Sequence, residues 1–390
     1  MDIMEQDRNY LGGIYRRQDV VLVEGHGAVC KDIDGREYID FGAGIGVNSL
    51  GYCDTEWCDA VCTQVQKLQH TSNLYYTEPA VLLAKKLAEA SGYAKALFCN
   101  SGAEANECAI KLARKYSFDK YGEKSGRNRI VCLKNSFHGR TVTTLSATGQ
   151  EMFHNYFFPF TEGFDFVPAN DIPALEQAIS PEKTCAVLVE FIQGEGGVQP
   201  LNPDYAKQVY SLCAKNDILL IADEVQTGAG RTGRLLASQN YGVQPDITTL
   251  AKGLGGGLPI GAVLMNRKTS NVFGYGDHGT TFGGNPVVCA GALVVLERIA
   301  EEGFLFEVRK KGDFLKSAIE KLNGVEGVDG MGLMLGIRLK EKKAPDVVKE
   351  CLKNGLLILT AKEKIRLLPP LTISEENLER GISILKKVLL

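Results

Sequence analysis

From about residue 80 to residue 265, the chain alternates amphipathic helical stretches with short apolar runs of strand length. The helical stretches include VLLAKKLAEAS, AEANECAIKLARKY and PDYAKQVYSLCAKN, and the strand-length runs are ALFCN, RIVCLKN, CAVLVEFI, DILLIAD and ITTLA. Strands that are apolar on both faces and separated by helices are typical of a parallel sheet covered by helices. The sequence therefore predicts an α/β domain with a central, mostly parallel sheet flanked by helices.

The two ends of the chain are predicted to form a second, smaller α+β unit. Residues 20–40 are rich in strand patterns, and residues 303–390 contain the short strands GLMLGIRL, GLLILT and KIRLLP before a final helix from Glu375. Both stretches lie outside the alternating region, so we expect them to pack together. The predicted boundaries are 1–50 for an N-terminal segment that packs with the small domain, 51–290 for the large domain and 291–390 for the small domain.

The composition excludes several classes of protein. A chain of 390 residues with 44% hydrophobic content can bury a large core, and its net charge of −3 offers no basic excess for a nucleic acid. No apolar run approaches the ~20 residues that span a bilayer, and no secretory signal is visible. We expect a cytoplasmic protein that binds neither nucleic acid nor membrane.

The chain has eleven cysteines, which we expect to be reduced thiols. Cys53, Cys58 and Cys62 lie close in sequence, but they form no C-x-x-C pair and have no neighbouring histidine. We therefore predict no metal site there and interpret the three as small buried hydrophobic residues.

The junction at 100–104, where the strand ALFCN meets a helix, is a candidate anion site. Ser101 and Glu104 form the S-x-x-E pattern of a capping box. Gly102 and Ala103 leave the backbone N–H groups of the first helical turn open to a phosphate, which the helix dipole also attracts. A plain helix cap without a ligand is the alternative.

Two other strand ends carry groups suited to a cofactor. Asp223 ends the run DILLIAD, and open α/β sheets bind ligands at such carboxyl ends, where a carboxylate can face a protonated ring nitrogen. The run ITTLA leads Lys252 into a glycine-rich turn; burial lowers a lysine pKa, and the neutral amine can condense with an aldehyde. An ion-pairing aspartate and a solvated loop lysine are the alternatives.

The segment Gly228–Gly233 matches the dinucleotide pattern G-x-G-x-x-G. A true fingerprint turns directly from strand into helix, whereas the stretch DEVQT separates the apolar strand from the first glycine here. We predict a flexible loop rather than a nucleotide cradle.

Six motifs, taken in order, resemble those of the class III (ω-amino) aminotransferases of pyridoxal-phosphate (PLP) fold type I: SGAEANE, SFHGRT, IQGEGG, DEVQTGAGRTG, LAKGLGGGLPIGA and HGTTFGGNP. The resemblance runs from about Tyr15 to the C-terminus. Within the class, GIGVNSLG, HTSNLYY and GDHGTTFGGNP are most similar to the enzymes that act on acetylornithine. It implies a homodimer with shared active sites, the cofactor pyridoxal 5′-phosphate, and transfer of the δ-amino group of an acylated ornithine to 2-oxoglutarate.

The resemblance also implies the cofactor contacts. Lys252 would bind PLP covalently and then move a proton, and Asp223 would pair with the ring nitrogen. Thr281 would reach the phosphate bound by the partner subunit. The other implied cofactor-binding residues are Ser101, Gly102, Ala103, Phe137, Glu224, Val225 and Gln226.

The implied substrate contacts form two groups. Arg140 and Tyr15 would hold the distal α-carboxylate of the amino donor, and Thr280 would line the entrance. Arg366 would take the α-carboxylate of glutamate or 2-oxoglutarate through a bidentate fork. Glu195 would pair with Arg366 when the donor offers no carboxylate there, because an unpaired buried arginine is costly.

Several alternatives remain open at this stage. Ile45 stands where ornithine δ-aminotransferases carry a tyrosine, which favours a donor whose α-amine is acylated. Other donors to consider are N-succinylornithine, N-succinyl-diaminopimelate, ornithine and 4-aminobutyrate. An aminomutase or decarboxylase on the same fold, and a non-catalytic protein, are further alternatives.

Overall fold

The computed structural model describes residues 2–390. Within that range the helices are α1 Ile3–Tyr10, α2 Ala43–Gly46, α3 Thr55–Lys67, α4 Glu78–Ser91, α5 Gly102–Tyr121, α6 Val142–Ala147, α7 Ile172–Ala178, α8 Pro203–Lys215, α9 Pro286–Ile299, α10 Glu302–Glu320, α11 Ala344–Lys353 and α12 Glu375–Leu389. Short 3₁₀ helices span Glu123–Ser125, Glu151–Phe153, Ala237–Tyr241 and Lys252–Gly255.

The strands, in chain order, are β1 Leu22–His26, β2 Val29–Asp32, β3 Glu37–Asp40, β4 Lys95–Cys99, β5 Arg129–Leu133, β6 Phe164–Val167, β7 Thr184–Val189, β8 Ile192–Gln193, β9 Gln199–Pro200, β10 Leu219–Asp223, β11 Ile247–Leu250, β12 Gly261–Met265, β13 Val325–Met331, β14 Met334–Leu339, β15 Leu356–Leu357, β16 Leu359–Ala361 and β17 Lys364–Leu367.

A seven-stranded sheet in the order β4-β12-β11-β10-β7-β5-β6 forms the centre of the molecule. Strand β12 runs antiparallel to both neighbours, and the other pairs in the sheet are parallel. The predicted mostly parallel sheet is therefore confirmed, with one reversed strand that the sequence pattern did not indicate.

Both faces of this sheet are covered, as the apolar strands predict. Successive side chains on a strand point to opposite faces. In β10, Leu219 and Ile221 pack in one cluster with residues of α5, whereas Leu220 and Ala222 pack in another with residues of α8. A strand buried on both sides is held rigidly, so the groups at its end have fixed positions.

Two smaller sheets flank the central one. In the first, of order β1-β2-β3-β15, strand β15 pairs in parallel with β3, joining Leu356 to Ile39. The second has the order β13-β14-β17-β16 and is antiparallel. The β3–β15 pairing thus joins a strand near the N-terminus to one near the C-terminus.

The glycine-rich segment Gly228–Gly233 differs from its prediction. Its Arg231 is 2% exposed, and Arg231 Nη1 donates to the carbonyl oxygens of Leu333, at 3.0 Å, and Pro369. Burial lowers the pKa of this guanidinium to about 9. The segment is a loop, as predicted, but the predicted flexibility is wrong, because a buried arginine fastens it to the C-terminal part of the chain.

The cysteines correct a second prediction. All eleven are unpaired thiols and eight are buried, but Cys53 and Cys62 are exposed and Cys58 is half-buried. The interpretation of these three cysteines as buried is therefore wrong for Cys53 and Cys62. Cys53 lies just before α3 and Cys62 lies within it, and both side chains face outward. Across residues 2–390, no helix combines the length and apolar character needed to cross a bilayer.

Candidate active site

A cavity of about 450 Å³ opens at the carboxyl edge of the central sheet. Asp223 is the last residue of β10, Lys252 lies two residues beyond β11, and Asn100 directly follows β4. All three line the cavity. The parallel strands therefore deliver their polar ends to one place, as expected for ligand sites in open α/β sheets.

Most of the predicted site residues meet there. Those that line the cavity are Ser101, Gly102, Ala103, Phe137, Arg140, Glu195, Asp223, Val225, Gln226 and Lys252. Arg366 approaches from β17 and hydrogen-bonds two of them. Tyr15, Glu224, Thr280 and Thr281 lie outside this lining.

The start of α5 forms one wall of the cavity. Ser101 is the N-cap, and its Oγ accepts from the backbone N–H of Glu104 at 3.1 Å. The Glu104 carboxylate accepts from the N–H of Asn100 at 2.5 Å, one residue earlier than a capping box requires. A Cβ on Gly102 would lie 2.6 Å from Val225 Cγ1, so only glycine lets the helix approach this closely. The first-turn N–H groups lack intrahelical acceptors and are available to an anion.

Lys252 places an amine at the cavity. Its φ of 42° lies in the left-handed region, which is uncommon for residues other than glycine and which clusters at functional sites. Removal from bulk water lowers the pKa of Lys252, and the positive charge of Arg366 lowers it further. A larger fraction of the amine is therefore uncharged, the form that attacks an aldehyde.

The Asp223 carboxylate is held by a buried hydrogen-bond network. Its Oδ2 accepts from Asn106 Nδ2 at 2.7 Å and lies 2.7 Å from His138 Nδ1, while Oδ1 accepts from the N–H of Val225 at 3.0 Å. Asn106 Oδ1 in turn accepts from Thr249 Oγ1 at 2.8 Å. These partners fix the carboxylate and satisfy its charge by hydrogen bonding.

Glu190 places a second carboxyl group at the same edge, just beyond β7. It accepts from the N–H groups of Phe137, at 2.9 Å, and Gly194, at 3.1 Å. Burial, reinforced by the negative charge of Asp223, raises the pKa of Glu190 to about 7. The carboxyl group thereby joins the segment carrying Phe137 to the loop after β8.

Arg366 and Glu195 form an ion pair at the side of the cavity. Arg366 is 3% exposed, and its Nη1 donates to Glu195 Oε1 at 2.5 Å and to Gln226 Oε1 at 3.1 Å. Its buried Nε has no partner among residues 2–390. Glu195 is 32% exposed on its side chain, so it is the member of the pair that borders open space.

Glu224 does not fit its predicted role as a cofactor contact. Its carboxylate accepts from the backbone N–H groups of Ala237, at 2.5 Å, and Ser238, at 2.9 Å, which places it on the far side of the strand end. Burial raises the pKa of Glu224 to about 7. The physical reason is the alternation of neighbouring side chains at a strand end: when Asp223 faces the cavity, Glu224 faces away.

The other residues outside the lining are more exposed. Tyr15 is 69% exposed, with Arg17 against its ring. Thr280 Oγ1 accepts from Asn100 Nδ2 at 2.8 Å, at the rim, and Thr281 beside it is exposed. Ile45 is 43% exposed and borders a different cleft.

Three contributors received no role from the sequence: Asn106, His138 and Glu190. Glu190 could have been found by the same rule as Asp223, because it follows the apolar strand CAVLV directly. Asn106 gave a weaker signal, since a single amide inside a helix is ordinary. His138 adjoins Phe137, but only the fold brings it to Asp223.

The residues of the cavity fit pyridoxal phosphate. An amine with a lowered pKa can take the aldehyde, and a fixed carboxylate can face the ring nitrogen. The open N–H groups of the α5 start can take the phosphate. His138 Nε2 and Arg366 Nε are buried beside the site without a hydrogen-bond partner among residues 2–390.

Comparison with known proteins identifies the family. The profile of the family "Aminotransferase class-III" matches residues 14–389. The acetylornithine aminotransferase of Haemophilus ducreyi is 53% identical over 388 residues, covering 99% of this chain and 98% of that protein. The acetylornithine aminotransferase of Methanocaldococcus jannaschii is 48% identical over 390 residues, covering 99% and 97%.

Solved structures agree. The ornithine aminotransferase from Toxoplasma gondii superimposes with a TM-score of 0.94 at 34% identity, covering 99% of this chain and 94% of that one. A second structure of that enzyme is described as having partial occupancy of PLP at its active site. The N-acetylornithine aminotransferase from Stenotrophomonas maltophilia gives a TM-score of 0.86 at 35% identity, covering 99% and 98%. The chain therefore belongs to the class III aminotransferases, which are PLP-dependent enzymes.

Proposed function

We propose that this enzyme transfers the δ-amino group of N2-acetylornithine to 2-oxoglutarate, giving N-acetylglutamate 5-semialdehyde and glutamate, a step of arginine biosynthesis. The observation that carries the choice of acceptor is the ion pair of buried Arg366 with half-buried Glu195, which can open for one substrate and close for the other. The acetylornithine aminotransferases at 53% and 48% identity support the choice of donor.

When bound, PLP supplies an aldehyde that accepts the amino group and a ring that withdraws electrons from the reacting carbon. Asp223 places a negative charge where a protonated ring nitrogen is stabilised, and Asn106 and His138 keep that carboxylate in position. Val225 and Phe137 provide apolar surfaces for the ring, and Gln226 lies on the same side as Arg366.

Lys252 has two tasks. Its neutral amine holds the cofactor between turnovers, and its Nζ, once released, removes the proton from the donor carbon that carries the amino group. The lowered pKa of Lys252 suits both tasks, because each requires the uncharged amine near neutral pH.

Arg366 and Glu195 let one cavity serve two substrates. An acylated ornithine that enters amine-first presents only methylene groups near Arg366, so the arginine keeps its bond to Glu195. The α-carboxylate of 2-oxoglutarate replaces Glu195 on the guanidinium in the second half-reaction. Since Glu195 borders open space, its side chain can move away from Arg366 without displacing buried residues.

We also propose a homodimer with shared active sites that works in the cytoplasm. Large exposed hydrophobic side chains lie on two neighbouring segments, Leu74–Tyr76 and 275–282. These segments are joined by hydrogen bonds from Asn73 Nδ2 to the carbonyl oxygens of Thr280, at 3.1 Å, and Gly283, at 2.8 Å. Thr281 is exposed beside this surface, where it can serve a partner subunit, and eleven unpaired thiols suit a reducing compartment.

A spectral half-reaction tests the donor. The PLP-loaded enzyme is mixed with N-acetylornithine, N-succinylornithine, ornithine or 4-aminobutyrate, and the conversion of the cofactor is followed by absorbance. We expect the largest kcat/KM for N-acetylornithine, with glutamate formed on addition of 2-oxoglutarate. A preference for ornithine would contradict the proposed donor.

A further inference from the structure

Arg140 lies at the mouth of the cavity with no hydrogen bond or ion pair to any residue of the range 2–390. Its guanidinium instead lies against two aromatic rings. Arg140 Cζ is 4.3 Å from the ring centroid of Phe153 and 5.6 Å from that of Phe137. The two rings meet edge to face, with centroids 5.8 Å apart. Aromatic contacts alone therefore hold this exposed side chain.

These contacts have a chemical consequence. A guanidinium is planar and carries its five N–H donors around its edge. An aromatic face attracts the flat side of the cation and leaves the edge open. Arg140 therefore lies beside the cavity with side-chain donors that no residue of the range 2–390 occupies, and such a guanidinium can bind a carboxylate through two hydrogen bonds.

Phe153 owes its position to a local turn. It ends the 3₁₀ helix Glu151–Phe153, and the aromatic segment that follows carries Tyr156, Phe157 and Phe158, which are all exposed. Phe153 differs from them, because it is half-buried and faces Arg140. In the proposed function, Phe137 contacts the cofactor ring. Phe153 is therefore the aromatic residue available to contact the Arg140 guanidinium.

We propose that Phe153 is a positioning residue of the amino-donor site, whose ring holds the Arg140 guanidinium ready for the donor's α-carboxylate. This inference rests on the proposed function, in which Arg140 binds that carboxylate. Without the Phe153 ring, the Arg140 side chain samples other rotamers. This conformational freedom must be given up each time a donor binds, which weakens binding.

A double-mutant cycle on ligand binding tests the proposal. N-acetylnorvaline keeps the acetyl group and α-carboxylate of N-acetylornithine and lacks the reacting amine, so its Kd for the PLP-loaded enzyme can be measured by calorimetry. Phe153→Leu is expected to raise this Kd roughly threefold to thirtyfold, the range for a cation–π contact. Phe153→Tyr, which retains a ring, should bind as the wild type does. Phe157→Leu is the matched control in the same segment and should leave the Kd unchanged.

The coupling to Arg140 decides the outcome. In an Arg140→Ala background, Phe153→Leu should have no further effect on Kd. The same four proteins should show the same coupling in kcat/KM for N-acetylornithine. The change should lie in KM, while kcat stays within twofold of the wild type. This second measurement covers any variant whose Kd is too weak to determine.

An equal loss in the presence and absence of Arg140 would overturn the proposal, because Phe153 would then act through general packing. So would failure of N-acetylnorvaline to bind the wild type, or an unchanged Kd in Phe153→Leu. A wild type that binds N-acetylnorvaline with this coupling, yet does not convert N-acetylornithine, would count against the proposed reaction alone.

Discussion

Replacing Glu195 by glutamine is expected to separate the two half-reactions. Arg366 is 3% exposed and depends on Glu195, at 2.5 Å, as its charged partner. A hydrogen bond to a charged group contributes about 1.5–3 kcal/mol and a neutral one about 0.5–1.5 kcal/mol. Because Glu195 is 32% exposed, we expect removal of its charge to weaken its interaction with Arg366 by about 1–1.5 kcal/mol.

That loss acts in opposite directions on the two substrates. With the donor bound, Arg366 keeps only weaker partners, so the donor half-reaction slows about fivefold to tenfold. With 2-oxoglutarate, the substrate carboxylate no longer competes with Glu195, so that half-reaction is retained or improved. The ratio of the two kcat/KM values should therefore shift by roughly fivefold to a hundredfold toward 2-oxoglutarate.

Stopped-flow absorbance of the cofactor measures each half-reaction separately. Glu363→Gln is the matched control. Glu363 is exposed in the turn before β17, so this substitution removes the same charge without affecting Arg366. An equal fall in both half-reactions, or a fall in the 2-oxoglutarate reaction alone, would refute the proposed exchange of partners.

Three further results are expected. Lys252→Ala should abolish multiple turnovers. In the wild type, the rate at which cofactor-free protein binds PLP should rise with pH, because only the neutral amine of Lys252 reacts. The half-maximum should lie below the ordinary lysine pKa of about 10.4, because burial lowers the pKa of Lys252. A midpoint at or above that value would contradict the burial argument. Asp223→Asn should lower turnover about a hundredfold or more while PLP absorbance persists, since the negative charge facing the ring is lost; near-normal turnover would count against the role of Asp223. Arg231→Met should lower the free energy of unfolding in urea by about 2–3 kcal/mol, because two buried carbonyl groups lose their donor, whereas Arg234→Met at an exposed ion pair should change it by less than about 1 kcal/mol.

The fold was predictable wherever apolar strands were long and regular. Strands β7, β10 and β11 are buried on both faces and stand out in the sequence as unbroken apolar runs. Strand β12 is equally buried but escaped prediction, because its five residues begin with a glycine and closely follow a glycine-rich turn, so the run does not stand out. Its reversed direction places it between β11, the strand that precedes it in the chain, and β4, which lies far away in the sequence.

The site was predictable to the extent that each residue ends a strand or begins a helix. Asp223, Lys252 and Ser101 follow from that rule, and the family resemblance supplied Arg366 and Glu195. Side-chain direction could not be predicted. The sequence analysis placed Glu224 in the cavity beside Asp223, whereas in the structure its carboxylate accepts hydrogen bonds from the backbone of a 3₁₀ helix. The two aromatic contacts of Arg140 also depend on a turn that no local pattern indicates.

The central position of β10 in its sheet has a consequence for how this enzyme can be altered. Strands β7 and β11 hold it on both sides, so the acid at its tip cannot shift to follow a new substrate. Arg140, by contrast, stands on a loop and is held by side-chain faces alone. Evolution or a designer can therefore exchange the molecules admitted at the entrance while the reacting groups below remain where the backbone ladder puts them.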